Sequence, residues 1–497
     1  MAICLGTFML LVDVTIVNVA LPAMARSLGS SFAELQWVID GYALALAALL
    51  MVAGSLADRF GRRRLYLVGL IVFALASLVC GLAPNTGVLI AGRIVQGAGG
   101  AAMFATTAAL LSTTYQGRRR GIAFGVWGAV NGLAASSGPL LGGLLIQAWS
   151  WRAIVLVNLP VAVLAFVLTL RVVRLDSASG PASSQRKVRL DLAGAMSFTV
   201  AATSLVYGLV EAGARGWGVA PTVPSLAVAA AATTAFVLIE PRVKHPMLDL
   251  KLFANRSFCA LMLAAVVLSA AAFAHLALVS LWLQTVLGLS PIRAGLALVP
   301  LSLASFAVSA GIGRFLQRMA PVKPIAGGLA LNGIGLLLLT TVSTASGPTA
   351  LLPGLIVDGL GVGLATPVLV SATLAALPAA KAGIGGAAVN TFRQLGLAIG
   401  LAVLGTLFAT RINSVLGAAG QGSRAGALIA GRVDVLAPGL ARQATATGLD
   451  TVFTAAGVTA LVAASAVAIL LRPTRTADTP QEAVAAAPET AAASPTS

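Results

Sequence analysis

The chain has 497 residues, of which 58% are hydrophobic and only 9% are charged, against about 25% charged in an ordinary soluble domain. A water-soluble fold could not bury that much apolar surface, whereas one membrane-spanning helix uses about 20 apolar residues, so the composition suffices for roughly fourteen spans. The net charge of +17 comes from basic residues scattered through short loops without interleaved aromatic residues, which argues against nucleic-acid binding.

Fourteen apolar segments follow one another along the chain. They lie at about residues 2–24, 36–56, 65–83, 87–114, 121–147, 153–171, 191–213, 223–240, 257–287, 291–313, 324–343, 350–376, 386–410 and 448–471. The first segment has no basic stretch before it and carries Asp13 and Asn18 in its apolar core, so we predict a membrane span there rather than a cleaved signal peptide. The sequence therefore predicts an all-α integral membrane protein.

Basic residues divide unevenly between the two sides of this arrangement. If the N terminus lies inside, 22 of the 32 Lys and Arg residues fall in cytoplasmic segments and 8 fall outside. The positive-inside rule then predicts cytoplasmic N and C termini, in the plasma membrane or cell inner membrane. Outside the spans we expect a basic cytoplasmic linker at 172–190, an external loop at 411–447 and a disordered tail at 472–497.

The sequence lacks the common motifs for cofactor and metal chemistry. The three cysteines lie far apart, which excludes a CxxC site and a disulfide framework. No lysine follows a glycine, so there is no phosphate-binding GxxxxGK[ST] loop, and neither histidine lies in an HExxH motif. We therefore expect no cofactor, no metal, no enzymatic activity and no ATP-driven pumping by this chain alone.

The loop between the second and third spans carries the first distinctive motif. Residues 54–64 read GSLADRFGRRR and contain Gly54, Asp58, Arg59, Gly61, Arg62 and Arg63. Glycines allow close approach and positive φ angles, and a carboxylate can face the positive end of a helix. This stretch resembles the GxLADrxGrkr signature of the major facilitator superfamily. The resemblance implies that the loop latches the two halves of the protein together in one conformation.

Motifs in later spans narrow the resemblance. Arg93 to Gly97 resembles the RxxQG motif of the family, and Gly138, Pro139, Gly142 and Gly143 resemble the GPxxGG end of the antiporter motif. Segments 13–22, 37–42, 151–160 and 390–396 are similar to those of the fourteen-helix drug:proton antiporters. The resemblance implies a six-helix bundle in 1–171, a linker with two inserted helices in 172–256, and a second six-helix bundle in 257–471.

Four charged residues within the predicted spans are candidates for the transport chemistry, because a charge at the bilayer centre costs at least about 2.5–3.5 kcal/mol. Asp13 lies about 16 Å into the first span, close to the midplane, where a carboxyl group could carry a proton or contact substrate. Its alternative role is a hydrogen bond to a neighbouring helix. Arg93 could pair with Asp13 or Asp40 and so alternately hold and release a proton, or it could only clamp helices together.

The other two candidates, Asp40 and Asp358, could each have a role in transport or a structural role. Asp40 lies in the outer part of the expected cavity, where it could attract cationic substrates, although it could also be a solvated residue at the start of a helix. Asp358 lies in the middle of a span where the related pattern is more often apolar or small, so it could be a second proton site or could pair with Arg393. We expect Asp191 to cap a helix and Glu211 to be structural. His275 could sense protons, but we expect it to be a hydrogen-bonded packing residue, as a lone histidine in an apolar span usually is.

The predicted function is a proton-driven antiporter that exports hydrophobic, often cationic drugs. It would act as a monomer in the lipid bilayer, with protons and small drugs or metabolites as its partners. Few residues are aromatic (5%), so the pocket should be mainly aliphatic. Two alternatives remain: export of one endogenous metabolite or self-made antibiotic, and a membrane sensor or scaffold that transports nothing.

Overall fold

A computed structural model describes residues 2–30, 32–173, 191–243, 246, 248–312, 319–377, 382–429 and 436–471. At a few positions inside helices it describes only the backbone. Within these ranges all regular structure is helical, and no strand is present. Most of the predicted linker (174–190) and the predicted tail (472–497) lie outside the described residues.

The described residues form sixteen α-helices. In chain order they are α1 (Ala2–Leu28), α2 (Phe32–Phe60), α3 (Arg62–Gly81), α4 (Thr86–Thr114), α5 (Gly117–Ala148), α6 (Ala153–Leu156), α7 (Asn158–Val172), α8 (Leu192–Arg215), α9 (Thr222–Ile239), α10 (Arg256–Leu281), α11 (Pro291–Ile312), α12 (Val322–Leu339), α13 (Leu352–Ala375), α14 (Ala382–Ala418), α15 (Ala425–Ile429) and α16 (Pro438–Leu470). A π-helical turn, Trp282–Val286, continues α10.

Twelve segments of the described helices are long and apolar enough to cross a membrane. They are supplied by α2, α3, α4, α6 with α7, α8, α9, α10, α11, α12, α13, α14 and α16. The two other long helices, α1 and α5, are not among them. Both contain positions at which only the backbone is described, and the described apolar stretch of α1 is Ala2–Val17.

The helices pack as two bundles. In the first, α4 packs on α2 and α3, and α1 packs on α5 and α7. In the second, α13 packs on α11 and α12, while α10, α14 and α16 pack on one another. The bundles meet where α5 contacts α11 and where α2 contacts α14. Helix α4 also contacts α13 and α14, and α5 contacts α13, so these helices too border any site between the bundles.

Helices α8 and α9 form a pair that is attached beside the α2–α14 contact. The ring of Trp37 on α2 stacks on that of Tyr207 on α8, with centroids 5.6 Å apart. At the end of α8, the indole N–H of Trp217 donates to the hydroxyl of Thr406 on α14, 2.8 Å away. The pair therefore contacts both bundles through α8.

Two local predictions can be compared with the helix ends. Asp191 is the N-cap of α8, as predicted, and its carboxylate accepts from the backbone N–H of Gly194 at 2.7 Å. By contrast, α14 and α16 continue into 411–447, which was predicted to be an external loop. Residues 411–418 contain one glycine and no proline, and α16 begins at Pro438, a position where proline is tolerated because the first N–H groups of a helix have no intrahelical partner.

Candidate functional site

A buried polar cluster surrounds Asp13 in the first bundle. Asp13 is fully buried on α1, and its Oδ2 accepts from the guanidinium of Arg93 on α4 at 2.5 Å. Its Oδ1 accepts from the amide groups of Gln96, at 3.0 Å, and Asn158, at 2.7 Å. The cluster therefore joins α1, α4 and α7 through one carboxylate, in the interior of the bundle.

Arg93 is held on three sides. Besides Asp13, it donates from Nε to the carbonyl of Val38 at 3.0 Å and from a terminal nitrogen to Oε1 of Gln96 at 2.8 Å. The ring of Tyr42 lies 4.2 Å from the guanidinium carbon, a cation–π contact. Of the two partners that were predicted for Arg93, the structure brings Asp13 to it.

The hydrogen bonds around Asp13 compensate for its burial. A buried charge is tolerated when it is paired and hydrogen-bonded, and here one cation and two amide donors meet one anion. The three donors occupy three of the roughly four lone-pair sites of the carboxyl group, one at Oδ2 and two at Oδ1. The position of Arg93 is thus linked to Asp13 by geometry.

Some residues of this cluster were not assigned a role from the sequence. Gln96 and Asn158 occur in recognised motifs, but nothing in the spacing showed that both reach Asp13. Ser77 of α3 lies in no motif, yet its hydroxyl accepts from the amide of Gln96 at 2.8 Å. A buried serine in an apolar helix is a weak signal, so contacts between helices were needed to identify it.

Asp40 lies apart from the Arg93 pair, on the part of α2 that faces α8. Its side chain is half-buried, and the buried carboxylate of Glu211 on α8 acts on it electrostatically. Two acidic side chains therefore lie near the junction of α2 and α8. Glu211 was predicted to be only structural, and its proximity to Asp40 was not visible in the sequence.

The motif at 54–64 connects the two bundles. Asp58, at the end of α2, accepts from the backbone N–H groups of Gly383 (2.8 Å) and Ile384 (2.9 Å) in the first turn of α14. Arg62 also binds Asp58, at 3.1 Å. The carboxylate thus lies at the positive end of a helix from the other bundle, which is the geometry that the motif implied.

Neighbouring motif residues shape this contact. A Cβ on Gly54 would lie 2.8 Å from the carbonyl oxygen of Gly383, so only glycine allows α2 and α14 to come this close. Gly61 has φ of 94° and lets the chain turn sharply into α3. Arg63 donates to the carbonyl of Leu170 at 2.9 Å, and Arg59 lies over the exposed ring of Phe60.

The GPxxGG segment lies on α5 between α1 and α11. A Cβ on Gly138 would meet the side chain of Thr15 on α1, and one on Gly143 would come within 2.7 Å of Ile292 on α11. Gly142 is buried, and the backbone of Pro139 is part of the helix. These small residues let α5 pack closely against both bundles.

Asp358 occupies a second buried cluster, in the other bundle. Asn332 of α12 donates to its Oδ1, and Nε2 of His275 on α10 lies 3.8 Å from its Oδ2. The alternative pairing with Arg393 is not found: among the described residues, Nε and one terminal nitrogen of Arg393 have no hydrogen-bond partner. Arg393 lies on α14, which follows α13 but packs mainly on α10 and α2.

No group of three or more metal-binding side chains was found in the described part of the chain. The described residues thus provide buried titratable groups, hydrogen bonds between helices and a contact at Asp58 that joins the two bundles.

Comparison with known proteins places these features in a family. Residues 3–401 match the family described as Major Facilitator Superfamily. The chain is 37% identical over 413 residues to the multidrug resistance protein Stp of Mycobacterium tuberculosis (strain ATCC 25618 / H37Rv), a match that covers 83% of this chain and 76% of that protein. It is 32% identical over 407 residues to the methylenomycin A resistance protein of Streptomyces coelicolor (strain ATCC BAA-471 / A3(2) / M145), covering 82% and 84% respectively.

Two further matches agree with this. The puromycin resistance protein pur8 of Streptomyces alboniger is 35% identical over 405 residues, covering 80% of this chain and 79% of that protein. Among solved structures, the human organic anion transporter MFSD10 (TETRAN) aligns with a TM-score of 0.64 over 94% of this chain and 98% of that chain. At 15% identity that structure shows a shared fold and nothing about substrate.

Proposed function

Since the chain belongs to the major facilitator superfamily, we propose that it is a proton-coupled antiporter that exports hydrophobic, often cationic drugs from the cytoplasm. The proteins of this family that it matches are transporters rather than enzymes, and those cited above are named for multidrug or antibiotic resistance. The chain is accordingly a multi-pass membrane protein with helices that can cross the bilayer.

In the proposed topology, α1 and α5 cross the membrane together with the twelve segments described above, which gives fourteen spans. Both are long enough, at 27 and 32 residues, and α5 is shielded from lipid in part by α1 and α11. The distribution of basic residues supports cytoplasmic termini in the plasma or inner membrane. We propose a monomer that needs no cofactor.

The proposed transport cycle alternates between two arrangements of the bundles. Residues 1–171 and 257–471 would rock about the site between them, with α8 and α9 attached beside it. The Asp58 contact supports a state that is closed at the end carrying the arginine-rich loop, which is the cytoplasmic end in this topology. Opening that end requires breaking the bonds to Gly383 and Ile384.

The observation that carries the proposal is the fully buried contact between Asp13 and Arg93. Protonation of Asp13 would release Arg93, and deprotonation would restore the ion pair, so the proton and the packing of α1 against α4 are coupled. A charged pair in an apolar bundle is costly to maintain, and the proposed coupling gives it a role beyond packing.

An experiment on inverted membrane vesicles tests this function. Uptake of a panel of drugs is measured with an imposed proton gradient, after the gradient is collapsed by an ionophore, and in vesicles without the protein. We expect uptake of several hydrophobic compounds that requires both the protein and the gradient. Uptake that is unchanged by collapsing the gradient would contradict proton coupling.

A narrower substrate range is the second candidate. Some relatives are named for one antibiotic, such as methylenomycin A or puromycin, which favours export of a single compound. The same panel separates the two functions, because a dedicated exporter would transport one structural class and leave the others at background.

We predict that Asp40 selects for positive charge on the substrate. A unit charge pair about 4 Å apart interacts by about 4 kcal/mol at an effective dielectric constant of about 20, and 1.4 kcal/mol is tenfold in affinity. Asp40→Asn should therefore weaken efflux of a cationic dye several-fold and spare a neutral drug, whereas Asp40→Glu should retain most dye efflux. Both substrates are measured side by side in the two variants, and equal loss for both would eliminate the selective role.

A further inference from the structure

The second bundle contains a titratable pair that the Asp13 site does not use. His275 and Asp358 are both fully buried, and the atoms that face each other are Nε2 of His275 and Oδ2 of Asp358, 3.8 Å apart. Within the described part of the chain, neither of these two atoms has a hydrogen-bond partner. Buried polar atoms are rarely left unpaired, so this pair needs an explanation.

The remaining hydrogen bonds of His275 and Asp358 show which of their atoms carry a hydrogen and which are acceptors. Nδ1 of His275 lies 2.8 Å from the carbonyl of Ala271, and since a carbonyl only accepts, Nδ1 carries the hydrogen. The Nε2 of a neutral ring then presents a lone pair to Asp358. Asn332 donates to the other carboxyl oxygen, Oδ1. Two acceptors thus face each other, and one added proton would satisfy both.

No cation compensates Asp358 in the way that Arg93 compensates Asp13. Among the described residues, His275 is the only basic group with a nitrogen within 4 Å of Asp358. The helices that pack around the pair carry other charged residues, which are Arg256 (α10), Arg293 (α11), Lys323 (α12), Arg393 and Arg411 (α14), and Arg442 and Asp450 (α16). Helices α4 and α5, which also contact α13, contribute Arg93, bound to Asp13, and residues 118–120.

Without the added proton, the site would hold an uncompensated buried carboxylate next to a neutral ring, which is a costly arrangement. With it, the site is either a neutral acid that donates its O–H to Nε2 or an imidazolium paired with a carboxylate. Both have zero net charge, and loss of the proton to water leaves a net charge of −1. The closed conformation therefore favours the protonated pair.

The position of the pair matches that of the Asp13 cluster. Asp13, Ser77, Arg93 and Asn158 lie on the first, third, fourth and sixth helices of the first bundle, counting α6 and α7 together. His275, Asn332 and Asp358 lie on the first, third and fourth helices of the second bundle, and Phe453 of its sixth helix contacts the His275 ring edge-on at 5.9 Å. The two halves of this fold are related by an axis along the membrane normal, so the clusters occupy equivalent places.

We propose that His275 and Asp358 form a second proton-binding site, which holds one proton between Nε2 and Oδ2 and exchanges it during transport. The exchange during transport rests on the proposed function, whereas the binding of the proton rests on the geometry alone. Asn332 is the positioning residue. Gly335 and Gly361 allow α12 and α13 to approach closely enough for Asn332 to reach Asp358. A Cβ on Gly361 would lie 2.7 Å from the backbone nitrogen of Asn332.

Infrared difference spectroscopy on the purified full-length protein tests proton binding. Spectra at acidic and alkaline pH are compared in the region of the C=O stretch of protonated carboxylic acids. We expect a band in the wild type that is lost in Asp358→Asn, is retained in Asp450→Asn, and shifts in frequency in His275→Phe, which removes the acceptor for the O–H. A band that is the same in the wild type and Asp358→Asn would overturn the site.

A loss of the infrared band because the variant misfolds can be distinguished from a loss of the bound proton. The amide of Asp358→Asn can donate to Nε2 and still accept from Asn332, so this variant should elute and unfold like the wild type. If it does not, the band shift in His275→Phe decides, since this variant keeps an aromatic ring and a purely packing role would leave the C=O frequency unchanged.

Transport in vesicles tests the exchange. Because Asp13 is intact in Asp358→Asn, this variant should change the pH profile of export without abolishing its dependence on pH, and Asp450→Asn should keep the wild-type profile. Retention of the wild-type pH profile in Asp358→Asn would show a static proton and overturn the exchange. If the wild type itself shows no gradient-dependent export, the proposed function fails, while the infrared result still decides whether the pair binds a proton.

Discussion

Asp13→Asn is expected to reduce gradient-driven export to the level of vesicles without the protein. An asparagine at this position cannot bind and release a proton, and it leaves Arg93 as a buried cation without its anion. Removing one partner of a buried ion pair costs about 3–5 kcal/mol, so the purified variant should also unfold at a lower temperature. Efflux in vesicles and thermal unfolding of the same preparation measure the two effects.

A double variant separates the proton from the packing. Asp13→Asn combined with Arg93→Gln removes both charges, so much of the lost stability should return while export remains at background. Asp450→Asn, which changes an exposed acid on α16, is the matched control and should behave like the wild type. Recovery of gradient-driven export in the double variant would remove Asp13 from the coupling mechanism.

The sequence predicted most of the helices because an apolar span is a strong signal and loops with basic residues divide one span from the next. It was less informative where helix formation does not depend on the bilayer. The extension of α14 to Ala418 and the early start of α16 at Pro438 contain arginine and small residues, which a hydropathy pattern assigns to a loop.

The sequence predicted which residues belong to the candidate site but not which of them contact one another. A lone charge in an apolar span identified Asp13, Arg93 and Asp358, because the cost of burying each requires a partner. The partners depended on how the helices pack. Asp358 faces His275 instead of Arg393, and Asp40 lies near Glu211, because α13 packs on α10 and α2 packs on α8. One sequence carries no direct record of these contacts.

Asp58→Asn is expected to destabilise the conformation in which the two bundles are closed at the end that contains Asp58. It should not change which drugs are exported. Asp58 accepts two backbone N–H groups of α14, and hydrogen bonds to a charged group contribute about 1.5–3 kcal/mol each. An asparagine has one carbonyl oxygen and no charge, so it can replace only one of these bonds. Since 1.4 kcal/mol is tenfold in an equilibrium, the closed population should fall by about tenfold or more.

The change in population can be measured between spin labels on the two bundles. Arg64→Cys on α3 and Lys323→Cys on α12 place labels at exposed positions at this end. The distance distribution should shift to longer values in Asp58→Asn and in Gly54→Leu, whose side chain would collide with α14. Asp249→Asn is the matched control, because Asp249 also accepts a backbone N–H, from Lys251, but lies in a loop outside the contact between the bundles. An unchanged distance distribution, or a reordered drug preference in the efflux panel, would show that Asp58 does not act as a latch.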